Sequence, residues 1–277
     1  MGVLFALVAA AAYGVSDFVG GLASRRVSAL NVLLVSYPVG GLIMALALPG
    51  YGGPVSARTL LWSLAGGVAG LVGVALLYSA LAVAPMNIVS PVTAVMSAAV
   101  PVLGGVLRGE RPGAPAWAGI VLGMAAVVLI ARQPADHPHP PVGWRPLLMA
   151  VLAGAGFGLY FICLASSDRD SGLWPVVISR FCSAVLVVPL LLAVDRFARP
   201  DRPVLALAAV AGVLDATANV AFLLSSRHGL LSLAGVITAL YPAGTVALAV
   251  LILRERTGRA QRAGLGLAAV AVVLLTR

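Results

Sequence analysis

Ten apolar segments of about 20 residues each run through almost the whole chain. They lie at residues 3–22, 29–49, 59–82, 86–107, 115–132, 145–165, 172–194, 203–224, 229–253 and 262–276. A helix that crosses the hydrocarbon core of a bilayer needs about 20 mostly apolar residues. An open sheet is excluded in lipid, because the backbone groups at its edges would have no hydrogen-bond partners. The pattern therefore predicts an all-α membrane protein with about ten transmembrane helices.

Composition supports this prediction, because the 277 residues are 61% hydrophobic and only 10% charged, with a mean hydropathy of +1.06. About a quarter of the residues in a soluble domain are charged. The 18 basic residues are all arginine and are scattered between the apolar segments. They indicate anchors at helix ends and lipid headgroups, and not a surface that binds nucleic acid. The two cysteines lie inside apolar segments, which argues against a disulfide framework or a zinc site.

One long polar, proline-rich segment divides the ten apolar segments into two groups of five. Its sequence is RQPADHPHPPVGWR, at residues 132–145. We expect a hydrated linker at 133–144 between a first five-helix repeat at 1–132 and a second at 145–277. His137 and His139 have no third ligand nearby, so a solvated linker is favoured over a metal site.

The two halves of the chain resemble each other. Shifts of 143 to 145 residues align Ser36 with Ser179, Tyr13-Gly14 with Phe157-Gly158, Gly67 with Gly212, Glu110-Arg111 with Glu255-Arg256, and residues 119–132 with 264–277. Internal repetition is a strong indicator of architecture. A repeat with an odd number of helices enters the membrane from opposite sides in its two copies. This inverted-repeat plan is typical of secondary transporters, whose substrate site lies near the midplane between the halves.

Five stretches of the chain carry a family resemblance. They are YGVSDFVGGLASRR (13–26), PMNIVSPVTAVMSAAVPVLGGVLRGER (85–111), GLWPVVISRF (172–181), GVLDATANVAF (212–222) and the segment 229–264. As a set they resemble the drug/metabolite transporter superfamily, specifically its EamA-type members. The resemblance covers essentially the whole chain and implies membrane transport of a small solute, without naming that solute. The family's Trp-Gly in the first helix of each half is replaced, Arg180-Phe181 lies opposite Tyr37-Pro38, and Tyr241-Pro242 has no counterpart in the first half. We therefore expect an asymmetric binding surface.

Three ionisable residues lie well inside predicted helices, namely Asp17, Arg180 and Asp215. A charge at the centre of a membrane helix costs at least about 2.5–3.5 kcal/mol, so such residues usually serve a function. Asn219 follows Asp215 by four residues and shares its helical face, and Gly212 is expected to leave room beside that carboxylate. We hypothesise that Arg180 pairs with Asp215, whereas the second aspartate exchanges a proton or binds a cationic substrate. The alternative is a purely structural ion pair, with Asp17 near the headgroups.

Tyrosines and glutamates form two further groups of candidates. The tyrosines can line a cavity, although helix packing and interfacial anchoring are the alternative for each one; they are Tyr13, Tyr37, Tyr78, Tyr160 and Tyr241. Glu110 and Glu255 follow predicted helix ends and lie beside arginines. We expect salt-bridged helix ends there, with a gating role as the secondary interpretation.

The functional prediction is a secondary transporter in the cytoplasmic membrane, exporting a small metabolite or drug-like solute by alternating access with protons as the coupling ion. A uniporter or channel-like permease is the alternative. An intramembrane enzyme is disfavoured, because GxSxG, HExxH and GxGD motifs are absent. No cofactor, metal site or nucleic-acid partner is expected, and the predicted partners are a small-molecule substrate, protons and the lipid bilayer.

The orientation in the membrane receives two opposite predictions. With ten spans, both ends of the chain lie on one side. The loops opposite the ends contain 11 arginines, and the loops on the side of the ends contain 6. The positive-inside rule therefore places both ends outside the cell, whereas the family resemblance implies that they are cytoplasmic.

Overall fold

The structure, a computed structural model, describes residues 1–84, 86–131, 143–194, 197–254 and 257–276, without the side chains of residues 78, 86, 87, 194 and 253. These residues are almost entirely helical, as the sequence predicts. The helices are α1 (Gly2–Ser24), α2 (Ala29–Tyr51), α3 (Ala57–Leu81), α4 (Met86–Leu107), α5 (Ala114–Ala131), α6 (Trp144–Ser166), α7 (Trp174–Val194), α8 (Arg202–His228), α9 (Leu231–Thr238), α10 (Tyr241–Leu253) and α11 (Arg259–Leu275). Most of the proposed linker at 133–144, including His137 and His139, lies outside the described residues.

The apolar segment at 229–253 does not form one helix, as its length predicts, but two. Helix α9 ends at Thr238 and α10 begins at Tyr241. Pro242 explains the interruption, because proline has no N–H to donate and its ring clashes with the carbonyl four residues earlier. Together α9 and α10 still make one span. In the described part of the chain, nine segments are long and apolar enough to cross a membrane, and α11 is slightly shorter at 17 residues.

The helices alternate in direction between two faces of the molecule. We call the face where α1 begins and α8 ends the proximal face, and the other the distal face. Gly2 accepts a hydrogen bond from the Ser225 hydroxyl near the end of α8 (2.8 Å). Leu275, at the end of α11, packs on Gly119 near the start of α5. Helix α1 therefore begins, and α11 ends, at the same face.

The two five-helix halves are related by matching contacts. A Cβ atom added to Gly67 of α3 would come within 2.8 Å of the Ser179 carbonyl oxygen of α7. In the equivalent contact with the halves exchanged, a Cβ on Gly212 of α8 would collide with the carbonyl oxygen of Ser36 in α2. These are the residues that the internal repeat aligns. Glycine allows such close helix approach, since it has no side chain.

The fourth spans of the two halves, α4 and the pair α9 and α10, pack differently near the proximal face and near the distal face. Helix α4 packs along α9 near the proximal face, whereas α10 packs mainly on α1. The described parts of α4 and α10 make little contact with each other. Near the proximal face the fourth spans are therefore packed against each other through α9, whereas toward the distal face they are apart.

Candidate functional site

Arg180 and Asp215 form an ion pair inside the helical bundle. The Nη2 atom of Arg180 lies 2.5 Å from Oδ2 of Asp215. The Arg180 side chain is 8% exposed and the Asp215 side chain 26% exposed. Asp215 lies at the middle of α8, and Arg180 lies six residues after the start of α7. A buried guanidinium needs such a partner, because an unpaired charge in a medium of low dielectric constant is strongly unfavourable.

Close contact between α2 and α8 places the pair next to α2. Gly40 and Gly212 let the two backbones approach, because side chains at these positions would collide with the facing helix. The sequence-based expectation that Gly212 leaves space beside the Asp215 carboxylate is therefore wrong. The space at Gly212 is occupied by the backbone of Ser36. The glycine serves helix packing, and it affects the carboxylate only through the position of α2.

Two tyrosines flank the guanidinium of Arg180. Its Cζ atom lies 5.0 Å from the ring centre of Tyr37 and 5.8 Å from that of Tyr160. Both distances are in the range of cation–π contacts. The Arg180 Nε and the Tyr160 hydroxyl are buried and have no hydrogen-bond partner in the described part of the chain, although Ser179 lies near that hydroxyl. Buried polar atoms are normally paired, so these two donors are available to a bound molecule.

Asn219 connects α8 to α1. Its side-chain amide donates to the Asp215 backbone carbonyl (2.6 Å), and its Oδ1 accepts a hydrogen bond from the Tyr13 hydroxyl (2.6 Å). The Tyr13 ring centre lies 6.1 Å from that of Phe161 and 6.2 Å from that of Tyr241. Tyrosines from α1 and α10 therefore extend the polar centre toward the second half of the broken span.

Asp17 lies at the same depth as Asp215. Helices α1 and α8 run in opposite directions and are joined by the bond between Tyr13 and Asn219. Each aspartate is four residues, or about 6 Å, from that bond in the distal direction. Asp17 interacts electrostatically with Asp215 and with Tyr241.

The Asp17 side chain points into the bundle. Successive helical residues are rotated by about 100°. Ser16 faces α8, where it donates to the Ala211 carbonyl (2.8 Å), and Gly14 faces α10, where an added Cβ would lie 2.8 Å from the Tyr241 carbonyl oxygen. The Asp17 side chain therefore points between α8 and α10. The residue is nevertheless exposed. In the described part of the chain it has no ion-pair partner.

The remaining candidates are placed differently. Tyr78 belongs to α3, but its side chain lies outside the described residues, as does Glu255. Glu110 does not form a salt bridge within the described part of the chain. Its carboxylate instead accepts hydrogen bonds from the backbone N–H groups of Leu231 and Ser232, at 2.5 and 3.0 Å. This contact was not foreseen, because sequence spacing cannot show that α9 begins beside the end of α4.

Sequence reasoning also missed the aromatic packing behind the polar centre. Phe161 stacks on Phe222 with ring centres 4.2 Å apart and contacts Tyr13 and Tyr160. A phenylalanine in a long apolar segment gives no signal of its position, because lipid-facing and buried positions are equally apolar. A separate apolar groove of about 600 Å3 lies between α2, α3 and α7 and contains none of the charged candidates. The polar centre therefore remains the candidate site.

Comparisons with known proteins agree with this architecture. The sequence profile of the EamA-like transporter family matches residues 1–132 and 144–277. A solved crystal structure superimposes with a TM-score of 0.79 over 99% of this chain and 96% of its own, at 19% sequence identity, which shows a shared fold. No curated protein sequence matches the chain. The chain belongs to the EamA-like transporter family and is therefore a multi-pass membrane transporter for a small-molecule substrate.

Proposed function

We propose that the protein is a secondary transporter that exports a small metabolite or drug-like solute across the cytoplasmic membrane in exchange for protons. In this proposal the two halves, residues 1–132 and 145–277, move relative to each other around the polar centre, and the linker at 133–144 connects them. Family resemblance favours cytoplasmic ends. The binding residues are Asp17, Arg180, Asp215 and Asn219, with the tyrosines at positions 13, 37, 78, 160 and 241 as lining candidates.

The observation that carries the proposal is the charge imbalance in the polar centre. Two carboxylates lie at one depth, and the guanidinium of Arg180 is already paired with Asp215. When both are ionised, the site carries one net negative charge. In a medium of low dielectric constant this charge favours uptake of a positive species.

Competition for Asp17 provides a physical route to exchange. A proton or the positive group of a solute can neutralise this carboxylate, and binding of one opposes binding of the other. Asp17 takes the proton from water on one side of the membrane. It releases the proton to water on the other side when the solute replaces the proton. The unpaired donors on Arg180 and Tyr160 can orient a polar acceptor on the same solute, and the aromatic rings provide apolar contact.

The test is transport in proteoliposomes of a panel of small metabolites and amphiphilic compounds, with and without a pH gradient. We expect gradient-driven accumulation of at least one compound that carries a positive charge. Asp17→Asn should abolish the gradient dependence, because the amide does not exchange a proton. Arg26→Ala is the matched control, since this exposed residue pairs with Asp201 at the distal face, away from the site.

Two results would contradict parts of the proposal. Transport that ignores the pH gradient would identify a uniporter or channel-like permease and make the aspartates structural. Gradient-driven transport that persists in Asp17→Asn would assign proton exchange to another group. Reconstitution in which no compound of the panel moves would remove the support for the export proposal.

A further inference from the structure

The carboxylate of Glu110 joins the two halves of the molecule at the proximal face. The residue follows α4 of the first half, and its two oxygens accept the N–H groups of Leu231 and Ser232 in the second half. These are the first two N–H groups of α9, which have no acceptor within their own helix. The positive end of the helix dipole adds an electrostatic attraction for the anion. The contact is thus charge-assisted and bidentate.

The local backbone is shaped to direct this carboxylate. Gly109 has a φ of +90°, a conformation that glycine adopts easily and other residues avoid. The Glu110 N–H donates to the Gly105 carbonyl (3.0 Å), so the chain turns back under the last turn of α4. A side chain at Gly105 would collide with the Glu110 carboxylate. Two glycines therefore allow Glu110 to point at α9 and not into solvent.

The contact closes the proximal end of the interface between α4 and α9. Deeper in the same interface, a Cβ on Gly235 of α9 would lie 2.6 Å from the Pro101 side chain of α4. Ser232 and Thr238 of α9 are completely buried. Toward the distal face the fourth spans separate, because α10 packs on α1. Glu110 therefore lies at the end of this interface where the fourth spans are in contact.

Polar contacts between the halves also occur away from this interface, at both faces. Arg58 donates to the Ser166 carbonyl at the proximal face (3.1 Å), and Arg26 pairs with Asp201 at the distal face (3.4 Å). Such peripheral contacts can persist while the centre of the bundle rearranges. The Glu110 contact lies at the interface that differs between the faces, and it must break if α9 moves away from α4.

We propose that Glu110 is a latch that holds the proximal face closed and is released when that face opens. Its consequence for transport rests on the alternating-access proposal, but the latch itself is measurable without substrate. If the latch fails its test, the result of the proteoliposome transport experiment still stands. If the transport proposal fails, the result on the latch still stands. Glu110 is a positioning residue, since it acts through α9 and not on the solute.

The experiment measures the modification rate of single cysteines by a membrane-impermeant maleimide applied from the proximal face. The full chain carries Cys163→Ala and Cys182→Ala, with Ser232→Cys or Thr238→Cys as the reporter. Glu110→Ala should raise the rate at both reporters by about tenfold or more, because two charge-assisted hydrogen bonds of the closed state are lost. Glu110→Gln keeps one acceptor oxygen and should give an intermediate rate. Arg26→Ala should leave both rates unchanged.

The two reporters separate opening from local unwinding. Ser232 lies in the first turn of α9, so loss of the cap alone can expose it. Thr238 lies six residues, or about 9 Å, deeper. A rise at Ser232 without one at Thr238 would show a local helix cap and overturn the latch, as would unchanged rates at both. A single size-exclusion peak for Glu110→Gln and Glu110→Ala ensures that the rates refer to folded protein.

Discussion

The charged residues of the polar centre differ in how their charges are compensated. Arg180 is buried and paired with Asp215, whereas Asp17 is exposed and has no ion-pair partner in the described part of the chain. The sequence identified all three, because a charge inside a long apolar segment is rare and costly. Which aspartate pairs with the arginine depends on how the helices pack, and spacing along the chain does not reveal it.

Replacement of each aspartate by asparagine should therefore have different effects on stability. Asp215→Asn leaves the Arg180 charge buried without a counter-ion, which we expect to cost about 3 kcal/mol of unfolding free energy. Asp17→Asn removes an uncompensated carboxylate and should leave stability unchanged or slightly raised. The midpoint of thermal unfolding in one detergent, measured for both variants at one pH, tests this. Equal losses would mean that both carboxylates compensate Arg180.

At the scale of the elements, glycines set the distance between helices. Gly66 and Gly70, one of the small-residue pairs in the sequence, pack against Tyr160 of α6. Gly212 lies against the α2 backbone, a neighbour that its position in the sequence does not reveal. The interrupted span formed by α9 and α10 is a second feature at the scale of the elements. Pro242 interrupts it at a position where the two resulting helices contact different partners, α4 and α1.

Alanine scanning of glycines should separate packing positions from tolerant ones. Gly212→Ala places a Cβ against the Ser36 carbonyl oxygen, so α2 and α8 must separate, at a cost of about 1–3 kcal/mol. Gly266→Ala in α11 is the control, because an added Cβ meets no atom within 4 Å. It should be neutral or stabilise by up to about 1 kcal/mol through helix propensity. Thermal unfolding of both variants provides the comparison, and a tolerated Gly212→Ala would refute the tight contact.

At the scale of the whole molecule, the two halves have the same order of helices but differ in how their helices pack. Matching glycine contacts relate the first half to the second, whereas the fourth spans are in contact near the proximal face and apart toward the distal face. An inverted repeat permits this, because exchanging the conformations of the two halves produces the opposite opening.

The exposure of Asp17 and the separation of the fourth spans toward the distal face predict one-sided accessibility of the polar centre. In a chain with Cys163→Ala and Cys182→Ala, Asp17→Cys should react with an impermeant maleimide applied from the distal face. It should react at least about tenfold more slowly from the proximal face, because the minor state is sparsely populated. Thr238→Cys, buried in this arrangement, is the control that stays slow from the distal face. Equal rates for Asp17→Cys from both faces would contradict a closed proximal end.

The sequence alone determined the membrane environment, the number of spans and the twofold repetition, because each follows from segment length, hydropathy and self-similarity. It also selected Asp17, Arg180 and Asp215, since charge within apolar segments stands out. Only the tertiary structure decided that the ninth span is broken, that Gly212 holds α2 against α8, and that Glu110 caps a helix of the other half. The physical reason is that these features arise from contacts between residues far apart in the chain, whose geometry depends on the packing of all the helices together.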